Sequence, residues 1–278
     1  MELREKFQDE KYRLKIIYDD SAESPREWYN IGTMVYSHRR YKLGDEEAQN
    51  TDDYNNWDEW LEGEVLEPNG GEDNVVFLPL YLFDHSGVTM NTTGFSCPWD
   101  SGQVGWIYAT KEKFREETGY GEKELFSRDK NREPEVGELV KIKGYEDKGV
   151  HNGFGKTVDI VNRLITVDFD YGKFEEFKNP ENVITFTLEE VAEVMSNKAE
   201  EMLRSEVEIF DDYLCGNVYG FVLEELIKCG EDCNECGDCE DEDAEGDQID
   251  SCWGFYGTDW ENNGIADHLG EHAYLLDL

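Results

Sequence analysis

The chain has 278 residues, of which 38 % are hydrophobic and 13 % aromatic, and a formal net charge of −40 at pH 7. That much aromatic area excludes a wholly disordered chain and is enough for one large domain or two modest ones. The charge argues against nucleic acid and anionic membranes as direct partners and for basic protein surfaces.

The opening MELREKFQDEKYRLKIIYDD lacks the apolar core of a signal peptide, and the longest apolar run, VVFLPLYLF (75–83), is strand-sized. The expectation is a soluble, cytoplasmic protein. Seven cysteines, an odd number bunched toward one end, fit reduced thiols or a metal better than a secreted disulfide framework.

In chain order, YRLKIIY (12–18) puts Leu14, Ile16 and Tyr18 on one face and Arg13 and Lys15 on the other, which predicts a strand. SPREWYNIGTMVYSHRRY (24–41) predicts a turn and then a second strand or short helix. Residues 44–73 hold twelve Asp or Glu and no Lys or Arg, with Trp57, Trp60 and Leu61 making NNWDEWLE one amphipathic turn amid carboxylates. Pro68-Asn69-Gly70-Gly71 then breaks the chain. VVFLPLYLF predicts a central strand, in which Pro79 removes one ladder hydrogen bond and calls for an edge or a bulge. QVGWIYAT (103–110) is a second strand, and Thr110 caps a helix KEKFREET that Gly119 closes.

Residues 120–133 are polar and predict a linker. The stretch 134–186 follows, with short alternating strands LVKIKGY, GKTVDIV, RLITVDFD and GKFEEFK between glycine-bearing turns. That spacing predicts a small antiparallel barrel resembling the SH3-like barrels of KOW and Tudor type, or else a β-rich insertion with no binding role. Thr187 and Glu190 form a capping box before LEEVAEVMSNKAEEMLRSEVEIFDDYL, expected as the longest helix. GNVYGFVLEEL predicts a strand returning to the N-terminal sheet. The expected fold class is α+β: a mixed or antiparallel sheet with a long helix, plus an inserted SH3-like barrel. The expected boundaries are 1–130 and 187–278 for the two parts of the main domain, and 134–186 for the barrel.

Cys229, Cys233, Cys236 and Cys239 offer two overlapping C-x-x-C spacings, each able to wrap a tetrahedral zinc. A zinc ribbon usually separates its pairs by a dozen or more residues, so reduced, metal-free thiols stand beside the zinc reading. The carboxylates around them raise thiol pKa values and weaken any case for reactive cysteines. The surrounding acidic run reads either as a solvated tail or as a contact surface. Cys97 and His85 are the residue types of a nucleophile and base, but no elbow or oxyanion motif surrounds them, and Cys97 before Pro98 and Trp99 reads better as packed core. Arg39 and Arg40 of SHRRY are expected to pair with nearby carboxylates, and His268 and His272 to lie on the surface. No P-loop and no G-x-G-x-x-G follows a strand, so nucleotide binding has no support.

The stretches LPLYLFDHSGVTMNTTGFSCPWDSGQVGWIYATKEKFREE (78–117), EVEIFDDYLCGNVYGFVLEE (206–225) and DSCWGFYG (250–257), with ESPREWYNIGTMVYSHRRYKLGD (23–45), resemble a family of uncharacterised proteins encoded by bacteriophages and related mobile elements. The resemblance covers about half the chain and implies a phage or prophage setting, but brings no catalytic residues. B-form DNA carries about one negative charge per 1.7 Å, so a net charge of −40 matches about 20 base pairs. The expected function is non-enzymatic: inhibition of a host DNA-acting defence complex (a restriction, CRISPR or Gabija-type nuclease) by DNA mimicry or by masking a basic surface. The expected contact residues are Asp45, Glu46, Glu47, Asp52, Asp53, Asp58, Glu59, Glu240, Asp241, Glu242, Asp243, Glu245 and Asp247, with Trp57, Trp60, Trp253 and Trp260 as anchors. The alternative is a zinc-stabilised accessory protein of phage replication or transcription that docks through the barrel. The oligomeric state is left open, a homo-oligomer included.

Overall fold

The computed structural model describes residues 2–97, 99–126, 128–129, 133–134, 139–143, 154–169, 180–195, 198–226 and 246–277. The chain runs through β1 (Leu3–Gln8), β2 (Tyr12–Tyr18), β3 (Thr33–Tyr36), β4 (Glu46–Glu47), α1 (Trp57–Leu61), β5 (Val75–Asp84), β6 (Val88–Asn91) and β7 (Ser101–Thr110). It continues with α2 (Lys111–Thr118), α3 (Glu122–Phe126), β8 (Arg128–Asp129), β9 (Leu139–Ile142), β10 (Phe154–Val161), β11 (Leu164–Asp168), β12 (Val183–Thr187) and β13 (Val191–Met195). It ends with α4 (Lys198–Cys215), β14 (Val218–Leu226), β15 (Gly246–Tyr256) and α5 (Ile265–Leu269). The fold is α+β, with sheets ordered β1-β2-β14-β15, β4-β3-β7-β5-β6 and β12-β11-β10-β9-β13-β8. Among the described residues no helix is long and apolar enough to cross a membrane.

The chain divides into two compact units. One comprises Met1–Tyr29, His85–Met90 and Glu208–Leu278. Its core is Leu14 and Ile16 of β2, Tyr219, Phe221 and Leu223 of β14, Phe255 of β15, and Ile265, Leu269 and Leu275 beyond. β14 pairs antiparallel with β2, setting Phe221 opposite Ile16, so the expected return of GNVYGFVLEEL to the N-terminal strands is what the chain does. On the reverse face of β2, Arg13 and Lys15 both meet the Glu224 carboxylate, at 2.6 and 2.7 Å. Two cationic partners on one half-buried carboxylate pin the register between strands about two hundred residues apart in sequence.

The other unit comprises Asn30–Asp84 and Asn91–Val207. In β5 the alternation turns Val76, Leu78, Leu80 and Leu82 inward. Pro79 lies opposite Trp106 and the β5–β7 register shifts between Leu80 and Tyr81, so the proline sits beside a bulge, inside the sheet rather than at its edge. α2 begins and ends as its sequence predicts: Thr110 accepts from the Lys113 N–H at 3.2 Å, and Gly119 closes the helix at φ 69°. The segment read as a linker carries α3, whose Leu125 is buried.

Two expectations are corrected here. Among the described residues the strands of 134–186 form no closed barrel. β10 and β11 make a hairpin through Asn162 and Arg163, both at positive φ as a type I′ turn requires, but the sheet stays open with β12 and β8 at its edges. The expected fourth strand, GKFEEFK, lies entirely outside the described residues. The sheet instead takes in β13, where the sequence predicts the start of the long helix. Val191 and Val194 fit either period, but Val194 pairs with Val140 and both are buried, so strand pairing wins. The long helix begins only at Lys198. The Thr187–Glu190 box is present, with Glu190 accepting from the Thr187 N–H at 2.8 Å, and it opens one 3₁₀ turn.

Candidate partner-binding site: carboxylates over a tryptophan core

The acidic segment 44–73 is held from beneath by its own apolar residues. Trp60, Leu61, Val65 and Leu66 are buried together with Val35, Val75 and Trp106. Each indole is also tied to backbone: Trp60 donates to the Gln49 carbonyl at 2.8 Å, Trp57 to the Gln103 carbonyl at 3.2 Å, and Trp106 to the Trp57 carbonyl at 3.0 Å. Buried rings with satisfied N–H groups leave the segment little freedom, which is why so acidic a stretch is ordered at all.

Several carboxylates take part in that order. Asp45 accepts from the Met34 N–H at 2.7 Å, and Glu46–Glu47 run as a short parallel strand beside Val35–Tyr36. Asn56 caps α1 by accepting from the Glu59 N–H at 2.9 Å. Glu59 reaches back to the Asn55 backbone N–H at 3.1 Å and side-chain amide at 2.7 Å, and these two bonds hold its carboxyl below the usual range. Glu64 accepts from the Tyr54 hydroxyl at 2.8 Å, which pushes that phenol upward. Eleven of the twelve acids between 44 and 73 are exposed, and only Glu64 is partly covered.

The expected contact residues fall into three groups. Asp45, Glu46, Glu47, Asp52, Asp53, Asp58 and Glu59 are exposed on this ordered segment, as is Asp247 on β15. Trp60 is buried at 5 % exposure, whereas Trp57 is half-buried and meets Trp60 edge-on at 5.6 Å. In the other unit Trp253 lies over Gly220 with 38 % exposure, while Trp260 packs edge-on to Tyr219 and donates to Glu5 at 3.0 Å. Glu240, Asp241, Glu242, Asp243, Glu245 and the cysteines Cys229, Cys233, Cys236 and Cys239 lie outside the described residues. Among the described residues no group of three or more His, Cys, Asp or Glu is placed to hold a metal.

The chain matches no family model, no curated protein and no solved structure. What the site does must therefore be argued from its own chemistry.

Sequence reasoning missed two features. Trp99 is 91 % exposed, beside a cavity of about 330 Å³ that also involves His38, Arg40 and Asp84. Arg40 is ion-paired with Asp84, as expected of that basic knot, and His38 stacks on Tyr41 at 5.1 Å. The second feature is Asp211, Asp212 and Cys215 at the end of α4. Asp211 accepts from the Met90 N–H at 2.6 Å and from the Thr89 hydroxyl at 3.1 Å. Burial pushes Asp212 up to about 6 against a hydrogen bond from Asn217, and the Asp211 and Glu208 carboxylates add to the rise. Burial, reinforced by Asp211, pushes the Cys215 thiol up to about 11, so it is neutral at physiological pH. An amphipathic pattern signals only that this helix end is covered, not by what.

Of the remaining candidates, Cys97 is half-buried with its thiol 3.8 Å from the Asp100 carboxylate. His268 is exposed against Phe255, but His272, expected on the surface, is half-buried, meeting Tyr12 edge-on at 4.5 Å with Nδ1 buried.

Proposed function

We propose that the protein is a non-enzymatic inhibitor that binds a host DNA-acting defence complex by setting carboxylates where DNA phosphates would otherwise lie. One observation carries this reading: eleven exposed acids on a backbone fixed by Trp60, Leu61, Val65 and Leu66, with no Lys or Arg in the whole of 44–73. A solvated acidic tail has no use for such anchoring. An ordered array gains affinity because less conformational freedom is lost on binding, and its charge releases counter-ions from a basic groove. The phage setting rests on the motif resemblance.

The test is capture of partners from phage-infected host lysate at low and at raised salt, with Asp52, Asp53, Asp58 and Glu59 changed together to Asn or Gln in a control. The reading expects a basic, DNA-binding partner that double-stranded DNA displaces, and at least about tenfold weaker retention by the control. An acidic partner, or retention indifferent to salt, would sink it.

A second reading, an adaptor docking through the six-stranded sheet, is favoured by the exposure of Val158, Val161, Leu164 and Val183 there. It expects the control to bind as well as the native chain.

A further inference from the structure

Within the acidic segment lies a cavity of about 340 Å³ lined by Tyr54, Asn55, Asn56, Trp57 and Trp60, with Ser37 and Thr51 completing its wall. We infer that this cavity is a receptor for an arginine side chain of the basic partner, an inference that rests on the reading above. Its volume is at the small end of ligand pockets, which run from about 300 Å³ upward, so it suits one side chain better than a folded cofactor.

Its lining holds three aromatic rings and no cation, which favours a planar cation stacked on a ring face. The Trp57 and Tyr54 side chains are half-buried and held in place, Trp57 by its bond to Gln103 and Tyr54 by its bond to Glu64, so the rings are preorganised. The polar lining supplies acceptors that a guanidinium can use. Asn55 spends its amide N–H on Glu59, which leaves the amide oxygen as an acceptor, and the Ser37 and Thr51 hydroxyls are two more. Asp52, Asp53, Asp58 and Glu59, all exposed and adjacent in sequence to the lining, draw a cation to the mouth and turn phosphate or carboxylate ligands away. A neutral sugar would also stack on aromatic rings beside amides, but it carries no charge for the neighbouring carboxylates to attract. Lysine satisfies the charge alone; arginine satisfies charge, plane and acceptors together.

The experiment titrates the full chain with oligo-arginine and oligo-lysine peptides of equal length and charge, at near-physiological and at raised salt. The expected result is about tenfold tighter binding of the arginine peptide, a margin that persists when salt weakens both. Thr51→Arg, a change at an exposed lining residue that removes no core side chain, is expected to abolish the margin by lowering the affinity for the arginine peptide about tenfold more than that for the lysine peptide. Trp57→Leu, checked for an unchanged melting transition, is expected to abolish it as well. Equal, salt-sensitive binding of the two peptides would overturn the receptor and leave the acidic-surface reading intact, as would a margin that Thr51→Arg does not alter. Failure of either peptide to bind at all would overturn both. Binding of a neutral oligosaccharide, with no preference between the peptides, would reassign the cavity to sugar.

Discussion

Asp212 carries a carboxyl that folding makes easier to protonate, because burial and the neighbouring Asp211 and Glu208 disfavour its charge. Between the ordinary carboxylate range and about pH 6 the folded chain keeps a proton that the unfolded chain has released. This group therefore adds stability as pH falls through about 6 and withdraws it as pH rises. Asp212→Asn, which keeps a hydrogen-bonding oxygen for Asn217, is expected to stabilise at about pH 7 by on the order of 1 kcal/mol after solvent screening. Thermal melts should show that advantage shrinking toward about pH 5. Glu224 is the opposite case. Burial pushes its carboxyl up, but the hydrogen bonds and charges of Lys15 and Arg13 more than offset that and hold it low. Glu224→Ala strands the buried Arg13 guanidinium and should cost about 3 to 5 kcal/mol in chemical denaturation, far more than removal of an exposed acid such as Asp58. Neither role was legible from sequence. The Arg13–Glu224 pair is 211 positions apart, and nothing local marks one glutamate among so many as the partner of Arg13.

At the scale of elements, β7 illustrates how closely strands depend on one small residue. Gly105 stands opposite Tyr36 of β3 and Leu80 of β5, and a methyl there would run into the Val35 carbonyl. Gly105→Ala is expected to force β3 from β7 and lower stability by more than about 3 kcal/mol, measured by denaturant unfolding. The α2 helix was fully legible because Thr110, the Lys113 amide and Gly119 act within one or two turns of each other. β13 was not, since Val191 and Val194 satisfy a helical and an alternating pattern alike until β9 is there to pair with them. That the strands show no closed barrel among the described residues has the same origin: strand count and turn spacing describe a hairpin-rich sheet, whereas closure depends on its edge strands meeting.

For the whole molecule, a net charge of −40 means that salt acts in two opposed directions. Screening relieves self-repulsion and is expected to raise the melting temperature by roughly 3 °C for each 1 kcal/mol gained between low and physiological salt. The same salt should weaken capture of a basic partner. Parallel melts and binding titrations across one salt series check both. A melting temperature that fell with added salt would show that attractive pairs such as Arg13–Glu224 and Lys15–Glu224 outweigh the repulsion.

The order of residues by itself determined the α+β character, the caps of α2, the break at Pro68-Asn69-Gly70-Gly71 and an acidic segment without a single base, because each depends on neighbours close along the chain. Only the tertiary structure decided that Trp60 is buried and Trp57 half-buried beside one cavity, that β14 lies against β2, and that residues 191–195 extend rather than coil. Those outcomes turn on partners brought from far away, and burial of an aromatic ring or pairing of a strand has no meaning until the partner has arrived.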